Sequence, residues 1–195
     1  MLVSIVLPVK NEPYAQTLEQ EIRKFLQAYN CEVLFQREEG ITNAVWHGIA
    51  RAKGDYIAVM DSSGSHLPHD LLMMVNHLEK SSSHDIIVGQ RITNQYPVHR
   101  KIVSLACAWL TRNFLGLNLP DPLTAFIVGR KEAMQFTKFV GCKFALEIIM
   151  KTPRSRIATW HTTHRHMNGR KSKLKPVEAV YLLKHLLRLK HESFE

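Results

Sequence analysis

Asp61 follows the apolar run Tyr56-Ile57-Ala58-Val59-Met60 and precedes Ser62-Ser63-Gly64-Ser65-His66. Open α/β sheets bind ligands beyond the carboxyl ends of their strands, so a carboxylate there is placed for chemistry. His66 and His69 stand three residues apart beside Pro68. On one helix face they would join Asp61 in a borderline transition-metal set. The same residues also suit structural duty: Asp61 as the N-cap of a following helix, the serines as turn residues, the histidines as a solvated helix start. Two other groups follow apolar runs, Lys10-Asn11-Glu12 after Leu2 to Val9, and Arg91 after Asp85 to Gly89. Asp121, before Pro122, is a turn residue or, against a hydroxyl substrate, a general base.

The chain has 26 Lys plus Arg against 17 Asp plus Glu, a formal charge of +9. That balance suits an anionic partner: nucleic acid, a phosphorylated substrate or an anionic membrane surface. The basic residues lack an aromatic-interleaved or recognition-helix pattern, so nucleic acid is not expected. Cys31, Cys107 and Cys142 are odd in number and widely spaced, which reads as free thiols in a reducing compartment. The opening Leu2-Val3-Ser4-Ile5-Val6 has neither a basic n-region nor a long apolar stretch, and no run approaches a membrane span. The expected location is cytoplasmic, with peripheral contact at a membrane face left open.

The elements that must position these residues alternate. Leu2 to Val9 reads as a strand, and a helix capped by Asn11 is expected from Pro13 to about Asn30. Glu32 to Gln36, Tyr56 to Met60, Asp85 to Gly89 and Ile157 to Thr163 read as strands. Helices are expected over 42–53, 67–80, 98–114, near Glu132, over 143–151 and from Pro176 onward, with a short apolar segment over 125–129. Strands alternating with helices predict an α/β fold with a mostly parallel central sheet flanked by helices. The division expected is one domain over residues 1–175 and a C-terminal amphipathic basic helix over 176–195. That helix interleaves Val177, Val180, Leu183 and Leu187 with Lys184, Arg188 and Lys190, so it suits an anionic lipid surface, its own domain or a partner copy.

Five stretches, in order, resemble family 2 glycosyltransferases of the GT-A fold, in the branch that acts on polyprenyl phosphates. They are Val6-Leu7-Pro8-Val9-Lys10-Asn11-Glu12, Gly54 to Asp61, Asp85-Ile86-Ile87-Val88-Gly89-Gln90-Arg91, Asp121-Pro122-Leu123-Thr124-Ala125-Phe126 and Gly169-Arg170-Lys171-Ser172-Lys173-Leu174. Two departures stand out. The acidic, Ser- and Gly-containing segment that follows the family's second strand is replaced by Arg37-Glu38-Glu39-Gly40, and the metal-binding D-x-D reads Asp61-Ser62-Ser63, with Ser65 where a Gln often stands.

The resemblance implies an inverting transferase that moves a mannose- or glucose-type sugar from a GDP- or UDP-linked donor to a polyprenyl phosphate or similar acceptor. Pro8, Lys10, Asn11, Glu12, Asp61 and Ser63 would hold the nucleotide-sugar, and Asp61 would face the diphosphate and any Mg²⁺ or Mn²⁺. An acceptor phosphate arrives ionised, its second pKa being about 6, and needs charge balance more than a base. Arg91, Arg100, Arg165, Arg170, Lys171, Ser172 and Lys173 suit that task, with Asp121 as base if the acceptor is a hydroxyl. The incomplete D-x-D leaves three outcomes open: weaker metal binding, a shell that recruits His66 or His69, or no metal. It also leaves open a catalytically weakened module that binds a nucleotide-sugar or a protein partner. The oligomeric state stays open.

Overall fold

A computed structural model describes residues 1–9, 13–91, 98–135, 143–163 and 176–192. Its strands are β1 (Leu2–Pro8), β2 (Asn30–Gln36), β3 (Tyr56–Val59), β4 (Ile86–Arg91), β5 (Ile127–Arg130) and β6 (Ile157–Thr162). Its helices are α1 (Ala15–Phe25), α2 (Ile41–Arg51), α3 (Pro68–Lys80), α4 (Val98–Leu115), α5 (Lys131–Met134), α6 (Phe144–Lys151) and α7 (Pro176–Glu192). The six strands form one sheet in the order β2-β1-β3-β5-β4-β6. All neighbours are parallel except β5, which runs against both β3 and β4. The expected mostly parallel α/β architecture is what forms.

Alternation along the strands divides the core in two. Val3, Ile5 and Leu7 of β1 join Ala58, Ile87 and Val128 beneath α1 and α3, where Leu18, Ile22, Leu71, Met74 and Leu78 are buried. Val6, Ile57, Val59, Ile86, Val88 and Ile127 face the other way, toward Val45 and Ile49 of α2, Phe144 and Ile148 of α6 and Leu182, Leu186 and Leu189 of α7. Side chains that alternate across each pleat feed both layers, as a sheet covered on both faces requires. Glu147 of α6 and His185 of α7, both almost fully buried, pair at 3.2 Å across this second layer.

The first helix is shorter than its sequence pattern suggests. It spans Ala15–Phe25 with Tyr14 as N-cap residue and no side-chain cap, while Asn11 lies outside the described residues. Its end is set by tertiary pairing: all seven residues of β1 need a partner, and β2 meets them from Leu2↔Asn30 to Pro8↔Gln36. Ladder formation thus extends the strand expected from Glu32 back to Asn30 and Cys31, where a helix end was expected.

The antiparallel β5 decides where the candidate site lies. Ile127, its first residue, pairs with Val59 near the end of β3 and with Val88 toward the end of β4. A strand running against its neighbours begins where they finish. The loop that carries Asp121 is therefore delivered to the carboxyl edge, between the segments that follow β3 and end β4.

Candidate nucleotide-sugar site

The segment after β3 is a tight, internally bonded turn. The amide of Ser63 donates to Oδ1 of Asp61 at 2.7 Å, and the Ser62 hydroxyl donates to the carbonyl of Pro8 at 2.7 Å. The Ser63 hydroxyl donates to that of Ser65 at 3.0 Å. Gly64 turns the chain with φ of 77°, a left-handed conformation that favours glycine. Ser62, Ser63, Ser65 and His66 are buried, and Asp61 is half-buried. Asp61 is not a helix cap, because α3 begins at Pro68, with Leu67 as N-cap residue and no side-chain cap bond. Its carboxylate instead closes the turn that follows β3.

A second cluster lies at the end of β4. Oε1 of Gln90 accepts the amide of Asp121 at 2.5 Å, and the Thr162 hydroxyl donates to the Gln90 carbonyl at 3.2 Å. Oδ1 of Asp121 accepts the amide of Leu123 at 3.3 Å, and Oγ1 of Thr124 accepts that of Phe126 at 3.1 Å. Phe126 connects the two clusters: its ring centroid lies 4.8 Å from that of His66, and a Cβ on Gly89 would fall 3.0 Å from its Cδ1. On the adjoining side, Oδ2 of the buried Asp70 accepts the amide of Thr163 at 3.0 Å, tying the first turn of α3 to the residue after β6.

Between the carboxyl ends of β1 and β2 lies a cleft of about 300 Å³ lined by Val9, Pro13, Ala15, Gln16, Phe35 and Arg37. Its walls combine apolar and aromatic surface with one guanidinium, a composition suited to a flat heterocycle carrying anionic groups. Arg37 is exposed, and Glu38, the next residue, is directed to Arg51 at 3.8 Å.

Of the residues singled out by sequence, Pro8, Asp61, Ser63 and Asp121 come together along this edge. Arg91 is the last residue of β4, and Arg100 is the third residue of α4. Lys10, Asn11, Glu12, Arg165, Arg170, Lys171, Ser172 and Lys173 lie outside the described residues. His66 and His69 do not share a helix face. His66 precedes α3 and is buried against Phe126, whereas His69 is exposed, with its ring near Phe25 and Asp70. Pro68 starts the helix between them, which separates the pair. Among the described residues no three His, Cys, Asp or Glu side chains are grouped to hold a metal ion. Asp61 is the one carboxylate of the turn, and the second position of the usual pair is a buried hydroxyl. The donor set does not fit a two-carboxylate metal site.

Gln90, Ser62 and Asp70 are absent from the sequence-derived set although each ties segments of this edge together. The Gly89-Gln90-Arg91 turn was visible, but a neutral side chain that binds a backbone amide 31 residues away leaves no local pattern.

The sequence profile described as Glycosyl transferase family 2 matches residues 6–140, a span holding the Asp61 turn, Gln90, the Asp121 loop and the cleft. The chain belongs to glycosyl transferase family 2. A dolichol-phosphate mannosyltransferase of Pyrococcus furiosus is 25% identical to it over 97% of this chain and 64% of that protein. A dodecaprenyl-phosphate galacturonate synthase of Rhizobium johnstonii is 30% identical over 68% of this chain and 40% of that protein. The family 2 chain thus spans 40% to 64% of the length of these two curated relatives. Among solved structures, the glucosyl-3-phosphoglycerate synthase of Mycobacterium tuberculosis, in complex with Mn²⁺, UDP and glucosyl-3-phosphoglycerate, superposes with a TM-score of 0.64 at 16% identity. That match covers 98% of this chain and 79% of the synthase, and it establishes the GT-A fold.

Proposed function

We propose that this chain transfers a sugar from a GDP- or UDP-linked donor to a polyprenyl phosphate or similar acceptor at a membrane surface. The carrying observation is the convergence of the Asp61 turn and the Asp121 loop on one sheet edge, joined across Phe126 and flanked by the β1–β2 cleft. The base enters the cleft beside Phe35, Arg37 in the cleft wall meets phosphate charge, and Pro8, Lys10, Asn11 and Glu12 share in holding the nucleotide. The donor's diphosphate and sugar extend toward Asp61 and Ser63.

In the reaction, an oxygen of the acceptor phosphate attacks the anomeric carbon from the face opposite the diphosphate. The new C–O bond forms as the old one breaks, the configuration inverts, and the nucleoside diphosphate leaves with the bonding electron pair. An ionised phosphate has no proton to lose, so the site supplies aim and charge balance. Arg91, Arg100, Arg165 and the segment Arg170-Lys171-Ser172-Lys173 provide that balance. Asp121 would take a proton only if the acceptor were a hydroxyl.

The lipid acceptor has support in the surface as well. Eleven large apolar side chains are exposed among the described residues, and eight of them sit on α4 and α7: Ile102, Leu105, Trp109, Leu110, Val180, Tyr181, Leu183 and Leu187. These helices pack against each other, with Nζ of Lys190 4.6 Å from the Phe114 ring centroid. Together they hold six Lys and Arg against two Glu. Apolar side chains interleaved with cations suit an anionic bilayer surface, and no described helix is long and apolar enough to cross a membrane.

The test is incubation of the purified chain with GDP- and UDP-sugars, with and without dolichyl or undecaprenyl phosphate. Acceptor-dependent release of the nucleoside diphosphate is expected. Binding without release would favour a nucleotide-sugar-binding module, and the absence of both would refute the reading.

A further inference from the structure

We infer that this chain binds its nucleotide-sugar without a protein-held divalent cation, the Arg37 guanidinium meeting phosphate charge in its place. The inference rests on the nucleotide-sugar reading above and concerns how that site is built.

Three side-chain oxygens of the turn after β3 are engaged by the protein's own groups. Oδ1 of Asp61 accepts the Ser63 amide at 2.7 Å, the Ser63 hydroxyl donates to Ser65 at 3.0 Å, and the Ser62 hydroxyl donates to Pro8. Ser63 and Ser65 are 3% and 4% exposed, so these hydroxyls lie beneath the surface a diphosphate would touch. An alcohol is also a far weaker ligand than a carboxylate for a hard cation that gives up water reluctantly. His66 lies against Phe126 and His69 is exposed on α3, and among the described residues no three His, Cys, Asp or Glu side chains group to hold a metal ion.

The second departure from the family pattern compensates the first. Where an acidic segment normally follows the second strand, this chain has Arg37 in the wall of the β1–β2 cleft, and Glu38 is drawn aside to Arg51. Loss of a carboxylate at position 63 and gain of a guanidinium at position 37 both move the site toward positive charge. A guanidinium binds phosphate oxygens through paired N–H donors, supplying the charge compensation that a cation otherwise provides.

The test is calorimetric titration of the full chain with GDP and with UDP, in EDTA and then in Mn²⁺. The expected dissociation constants agree within about threefold between the two conditions. Ser63→Asp, which restores the second carboxylate, is expected to make Mn²⁺ tighten binding by about tenfold or more. If circular dichroism shows that this buried substitution prevents folding, the surface variant Arg37→Glu carries the test. It should weaken binding in EDTA by about tenfold, with Mn²⁺ restoring part of the loss. A wild-type protein whose nucleotide affinity rises tenfold or more with Mn²⁺, to cite about 1.4 kcal/mol, would overturn the inference and leave the donor reading intact. So would stoichiometric Mn²⁺ bound to the nucleotide-free protein by electron paramagnetic resonance, or an Arg37→Glu variant that binds normally in EDTA. Failure to bind either nucleotide under both conditions overturns the donor reading and this inference together.

Discussion

The side-chain oxygen of Gln90 accepts the backbone amide of Asp121 at 2.5 Å, which fixes the Asp121 loop to the end of β4. Gln90 is 2% exposed and Asp121 9%, so neither group has ready access to water in exchange. Gln90→Leu leaves that amide unpaired at a cost of about 1–3 kcal/mol. If the loop serves the acceptor, kcat for sugar transfer should fall about tenfold, equivalent to ~1.4 kcal/mol of barrier. Nucleotide affinity should stay within about twofold, because the base cleft lies at the other end of the edge. Equal losses in both measurements would mean general unfolding.

Gly64→Ala tests the turn after β3. A Cβ at this position would lie 2.2 Å from Cε1 of Tyr14, and φ is 77°. Strain of about 1–3 kcal/mol is expected from the backbone conformation alone. For a chain of this size each kcal/mol lowers the melting temperature by about 2–4 °C. Thermal unfolding followed by circular dichroism, paired with nucleotide titration, should show both stability and affinity reduced. An unchanged affinity would separate this turn from the donor site.

Trp109→Glu and Leu187→Glu each place a carboxylate among the exposed apolar groups of α4 and α7. Both side chains are more than half exposed, so folding should be unaffected. Cosedimentation with vesicles rich in phosphatidylglycerol should fall for either variant and further for the double variant. Binding of the parent chain should weaken with salt and be lost on neutral phosphatidylcholine vesicles. Retained binding by the double variant would remove these helices from the membrane contact.

Asp85 lies away from the site, at the opposite edge of the sheet, and makes the acid response of the fold predictable. Two guanidinium bonds from Arg156, at 2.5 and 2.8 Å, hold its carboxyl below the usual carboxylate range against the opposing effect of burial, with Arg130 adding to the depression. A carboxyl whose folded pKa is depressed stabilises the protein above its unfolded pKa, about 3.9, and loses that contribution as pH falls through the folded value. Asp85→Asn should therefore lower the melting temperature at pH 7. The gap between variant and parent should close as pH drops below the unfolded value. A gap independent of pH would show that packing, not charge, is what Asp85 contributes.

The fold was legible because its signals are local and repeated. Tyr56-Ile57-Ala58-Val59-Met60 is apolar without interruption, as a central strand covered on both faces must be, and Pro68 opens α3 within a residue of its expected start. The end of α1 was not legible, because Asn30 and Cys31 join the strand expected from Glu32 only by pairing with β1. The direction of β5 was not legible either: Ala125 to Gly129 is apolar in any orientation, and only the pairing of Ile127 with Val59 and Val88 reveals it. At the site, Asp61 announced itself by its charge after an apolar run and Asp121 by its place before Pro122. Gln90, Ser62 and Asp70 did not, since each acts on a backbone group distant in the chain.

The reversed strand also governs how the protein comes into being. β1, β2 and β3 pair among themselves within the first sixty residues, but β4 joins them only through β5, whose Arg130 meets Tyr56 across 74 positions. Loop-closure entropy of that length must be overcome before the sheet gains its middle strand, which makes closure a slow, late step in folding. A nascent chain that has not yet exposed residues 127–130 holds β3 as an unpaired edge, open to mispairing with other chains. The two halves of the sugar site are then separate pieces, and ligand affinity should emerge in refolding only when this strand has been threaded between them.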